Sequence, residues 1–71
     1  MRVTKDDIVK IKAGTTKHFV VDDGKACNAA RVMVQYVKRT SIPDGVIDYK
    51  TDIDWKQHIV SITALAEENK E

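Results

Sequence analysis

The segment from Asp22 to Arg39 constrains this chain more than any other part of it. It contains no proline, and its apolar residues recur at three- and four-residue intervals. At 100° per residue, Ala26, Ala29, Ala30, Met33, Tyr36 and Val37 share one side, with Cys27 and Val34 at its edge. Lys25, Asn28, Arg31, Gln35, Lys38 and Arg39 occupy the other side, where Val32 is the one apolar exception. Asp22 or Asp23 can accept from the orphan N–H groups of a first turn, and Lys38-Arg39 complement the carbonyl end. The pattern predicts a helix over Asp23 to Arg39 whose alanine-and-methionine side is dry. On that reading Met33→Ala costs about 2–5 kcal/mol and Gln35→Ala is nearly silent.

One helix cannot bury its stripe alone, so the rest of the chain must supply a second layer. The tetrapeptide Ile42-Pro43-Asp44-Gly45 is a turn with Pro, Asp and Gly at its second, third and fourth positions. Beyond it the period changes to two, and Ile47, Tyr49 and Ile53 alternate with Asp48, Lys50 and Asp52. Ile59 to Leu65 is rich in β-branched residues, with Val60, Ile62 and Ala64 on one side and Ser61 and Thr63 on the other. These two runs read as a hairpin around Asp54-Trp55-Lys56-Gln57. Thr16 to Val21 reads as a strand entering the helix, set off from Ile8–Ile11 by Ala13-Gly14-Thr15-Thr16. Residues 4–12 fit a further strand or a helical turn begun at Thr4-Lys5-Asp6-Asp7, and the pattern does not separate the two.

The expected fold is therefore α+β, with one amphipathic helix packed on a three- or four-stranded antiparallel sheet in the order (β)β-α-β-β. A single domain over residues 1–66 and a frayed acidic tail over 67–71 are expected. A chain of 71 residues leaves little spare core, and small scaffolds usually gain stability from disulfides, a metal or a partner subunit. Cys27 is the only cysteine, so no disulfide forms within the chain, and Cys27, His18 and His58 are too few for a structural zinc site. Efficient packing or oligomerisation remains. The N-terminus is charged at nearly every second position and no apolar run approaches a membrane span, so a cytoplasmic protein with no membrane partner is expected.

Net charge is +1, but residues 1–43 hold nine Lys/Arg against four Asp/Glu and residues 44–71 hold three against seven. Such polarity marks either a basic binding surface or two halves that attract each other within the fold. The first option yields a candidate nucleic-acid face: Lys25, Asn28, Arg31, Gln35, Lys38 and Arg39, with Lys10 and Lys12 as flanking phosphate contacts. From Gly24 to Pro43 there is no acidic residue. Helix-turn-helix, RRM, KH and zinc-finger motifs are all absent.

The competing expectation is a protein-interaction or structural module, self-association included. It would act through a sheet edge, such as Ile59 to Leu65, or through Trp55, the lone tryptophan. Cys27 with His18 or His58 can be drawn as a nucleophile and base, but cysteine among alanines usually behaves as an inert small hydrophobe. Asp48, Asp52 and Asp54 do not follow calcium-loop spacing. No enzyme activity, cofactor, metal or small-molecule substrate is expected.

The motifs match no named family. The run Gly14-Thr15-Thr16-Lys17-His18-Phe19-Val20-Val21, followed by a helix with Asn28-Ala29-Ala30-Arg31 and a hairpin, resembles short proteins of bacterial phages and mobile elements over residues 14–65. That resemblance implies no site. It implies an accessory role in DNA transactions or in interfering with a host protein.

Overall fold

Residues 2–67 are described by a computed structural model. The chain opens with a short helix, α1 (Lys5–Val9), which settles the ambiguity over residues 4–12. The reason is a capping box. Asp7 N–H donates to Thr4 Oγ1 at 3.3 Å, and Thr4 N–H donates to Asp7 Oδ2 at 2.9 Å. Two orphan donors are thereby satisfied within four residues, which a strand would not offer. Ile8 and Ile11 point into the core.

Strand β1 (Thr16–Val20) follows a turn in which Gly14 holds a left-handed φ of +84°. Helix α2 (Gly24–Thr40) is capped by Asp23, whose carboxylate accepts from Ala26 N–H at 2.9 Å. Strands β2 (Val46–Asp54) and β3 (Ile59–Ala66) form the expected hairpin. The sheet is antiparallel with spatial order β1-β3-β2, and both helices lie on one face of it. This is the α+β architecture expected, with three strands and a leading helix in place of a fourth strand. The tail expected over 67–71 lies outside the described residues, apart from exposed Glu67.

Four expectations are corrected. First, Ile59 to Leu65 is not an edge: β3 is the central strand, and β1 and β2 are the edges. Its alternation serves partners on both sides at once. Second, the turn after α2 sits one residue later, with Val46 N–H donating to Pro43 C=O at 3.2 Å. Gly45 thereby takes the third position at φ +88°, the place where a type II turn needs glycine. Third, Ile47 does not share a face with Tyr49. A register shift between Val46 and Asp48 makes Ile47 an extra, exposed residue, while Val46 turns inward. The fourth concerns the helix wheel.

The buried face of α2 is Cys27, Ala30, Val34 and Val37, flanked by half-buried Ala26 and Met33. Ala29 and Tyr36 are exposed. The face is rotated by roughly 80° from the one the wheel predicts. Cys27 and Val34, which the wheel places at its edge, are fully buried. Cys27 and Ala30, small enough for a close approach, are buried in the core that the helix shares with the sheet, and at its C-terminal end Lys38 reaches Asp48 on β2 with Nζ 3.0 Å from Oδ1. Met33 is consequently a boundary residue rather than the core anchor expected.

Candidate functional site

Rotating α2 exposes Ala29 and Tyr36, which the wheel had placed inside, next to Val32, which it had placed outside. Val32 is 58% exposed and Tyr36 44% exposed. With Ala29 and Met33 they form an apolar stripe along the solvent side of the helix. Arg2, Val3 and Thr4 stand beside that stripe, and together the seven residues line an open groove of about 640 Å³. The opposite wall is stiff for local reasons: Val3 is buried, and Thr4 is held by the capping box of α1.

Around this stripe lie the basic residues read from the sequence. Lys25, Asn28, Arg31, Gln35 and Arg39 are all exposed on α2, as the wheel requires. They are not all equally available. Arg31 Nη2 donates to Asn28 Oδ1 at 2.6 Å, so those two side chains are already joined along the helix. Lys38 is half-buried and paired with Asp48. That ammonium, and then the N–H of Tyr49, hold the Asp48 carboxyl below its ordinary range. One strand of the charge polarity is therefore spent inside the fold: the basic half meets the acidic half at Lys38–Asp48. Lys10 and Lys12 are exposed on the segment after α1.

The other candidates are dispersed. Trp55 is 53% exposed in the β2–β3 loop. That loop is held by the Asp54 carboxylate, whose Oδ1 accepts from Lys56 and Gln57 N–H at 3.0 and 3.1 Å. Cys27 is fully buried beneath α2. His18 lies on the opposite face of the sheet, since its neighbour Phe19 is the inward residue, and its Nδ1 is 2.6 Å from Ser61 Oγ. The sheet thus separates Cys27 from His18, and that nucleophile–base pairing is not assembled. Among the described residues no three His, Cys, Asp or Glu side chains form a group able to hold a metal. No helix there is long and apolar enough to cross a membrane.

The groove itself escaped sequence reasoning. Its signal was Val32, an apolar residue stranded among charges, whose neighbours on the helix surface at i−3 and i+4 are Ala29 and Tyr36. No family model, curated protein or solved structure matches this chain.

Proposed function

We propose that the protein is a small binding module that grips a partner protein through the exposed side of α2. The partner surface that fits is apolar at its centre and rimmed by carboxylates. One observation carries this reading: Val32 and Tyr36 lie exposed side by side on a helix that has no acidic residue from Gly24 to Thr40. Aromatic and arginine side chains around an apolar centre are the composition of interface hot spots. Charge rules out the simplest alternative occupant. Two copies meeting α2 to α2 would bring Lys25, Arg31 and Arg39 against their own like charges, whereas a carboxylate-rimmed surface would be attracted. A nucleic acid is the other acidic partner, but the apolar stripe beside the basic residues would give phosphates nothing to contact.

Amide NMR titration separates the two. The probes are an amphipathic helical peptide of leucine and glutamate and a short DNA duplex, each at low and moderate salt. Peptide-induced shifts at Ala29, Val32 and Tyr36 that persist at moderate salt are expected. Tyr36→Ala should weaken that binding by about tenfold or more while leaving the fold intact. DNA-induced shifts at Lys25, Arg31 and Arg39 without any peptide response would transfer the face to nucleic acid, with the steep salt dependence of phosphate contacts. No response to either probe at low salt would remove α2 as a binding face.

A further inference from the structure

The sheet has two free edges, and they are finished differently. Bonded and non-bonded pairs alternate along an antiparallel ladder. Val21 N–H donates to His58 C=O at 2.8 Å and Ala64 N–H to Thr15 C=O at 3.0 Å. With the register, these make Lys17/Ile62 and Phe19/Val60 the bonded pairs in between. The backbone groups of Thr16, His18 and Val20 therefore point away from β3. No hydrogen bond among the described residues reaches them.

By the same alternation the backbone groups of Tyr49, Thr51 and Ile53 point away from β3 on the β2 side. That edge is blunted. It carries the bulge at Ile47, and Tyr49 N–H is taken up by Asp48 Oδ1 at 2.8 Å, with Asp48 in turn held by Lys38. Bulges and local charge are how sheets close their edges. Strand β1 has no bulge, proline or acidic residue, its one charged side chain is Lys17, and Val20 on it is 63% exposed.

We propose that the β1 edge is a self-association site, where a second copy of this chain adds its own β1 in antiparallel orientation with His18 at the two-fold axis. A second copy fits this spacing and meets complementary side chains. Thr16, His18 and Val20 are symmetric about His18, so each outward N–H and C=O of one copy meets its complement on the other. His18 pairs with His18 and Thr16 with Val20. Six hydrogen bonds form and no outward group on that stretch is left over. The intervening pair sets Lys17 opposite Phe19 of the second copy, an ammonium against an aromatic ring. Lys17 already makes that contact in its own chain, with Nζ 5.6 Å from the Phe19 centroid. No carboxylate or second lysine sits directly across. A foreign extended peptide would obtain the hydrogen bonds, but the two concavities at α2 and residues 2–4 include no β1 residue to seat its side chains. The product is a continuous six-stranded sheet. Its axis is perpendicular to the sheet, so both α2 helices stand on one side with their stripes exposed.

Sedimentation equilibrium and amide hydrogen exchange, from micromolar to millimolar protein, test this. A dimer is expected, with exchange at Thr16, His18 and Val20 slowing as concentration rises while Thr51 and Ile53 stay unchanged. Proline is tolerated on an edge strand where its missing N–H faces outward. His18→Pro should therefore keep the monomer fold and weaken the dimer at least about 30-fold, the loss of two symmetry-related hydrogen bonds. Val32→Lys should leave the dimer intact, which keeps this result independent of the α2 reading. A chain that stays monomeric at millimolar concentration overturns the proposal. So does a dimer without concentration-dependent protection at Thr16, His18 and Val20, a readout that needs no variant, or a dimer that dissolves with Val32→Lys.

Discussion

His58 is the non-glycine residue with positive φ among those described, at +58°. It closes the four-residue β2–β3 loop just before Ile59, where the chain must reverse its twist to re-enter the sheet. Outside glycine, that conformation costs roughly 1 kcal/mol because Cβ crowds the carbonyl oxygen. His58→Gly should accordingly raise stability by about 0.5–1 kcal/mol in a denaturant melt, less whatever glycine adds to unfolded-chain entropy. A clear loss would mean that the His58 side chain makes a contact worth more than the strain. Tyr49 shows a different residue-scale compromise. Its hydroxyl is buried without a hydrogen-bond partner, and burial raises its pKa. Its ring nonetheless stays in the core because that position faces Ala64, a residue small enough to accommodate it.

At the scale of the element, α2 shows why an apolar wheel does not fix its own rotation. Val34 and Val37 are fully buried, whereas Met33 lies at the margin of the core. Val34→Ala should cost about 2 kcal/mol, from the lost methyl groups and the cavity they leave. Met33→Ala should cost less than that, reversing the sequence expectation. Equal losses in urea unfolding, or a larger one at Met33, would restore the original face. Strand β2 gives the same lesson in period two. Its inward residues are Tyr49, Thr51 and Ile53, as alternation predicts, until the bulge at Ile47 breaks the count.

Across the whole molecule, the acidic C-terminal half and the basic N-terminal half are joined at Lys38–Asp48. Asp48 has its carboxyl lowered from 3.8, chiefly by the hydrogen bond from Lys38 and then by that from Tyr49 N–H. A carboxyl depressed in the folded state contributes stability above its unfolded value and loses that contribution as pH falls through the folded one. Stability should thus decline below about pH 4, and Asp48→Asn should flatten part of that decline. Asp7, lowered by the backbone and side-chain hydrogen bonds from Thr4, adds a second component that Asp48→Asn leaves in place. Identical acid limbs for the two proteins, measured as denaturant midpoint against pH, would show that the pair is too exposed to matter.

By itself the sequence determined what local chemistry determines. The span and cap of α2, the β-branched alternation of β3, the hairpin and the α+β class all rest on interactions between residues a few places apart. The polar membership of the α2 face was legible for the same reason. Three things were decided only in three dimensions. Strand order put β3 in the centre, because a strand with one dry side and small polar residues on the other pairs equally well at an edge or between neighbours. The rotation of α2 followed from where α1, the sheet and Asp48 stood, and it turned Tyr36 and Ala29 out beside Val32 to make the groove. The open edge of β1 arose from the direction in which backbone groups point. That direction depends on pairing register and is written in no single side chain.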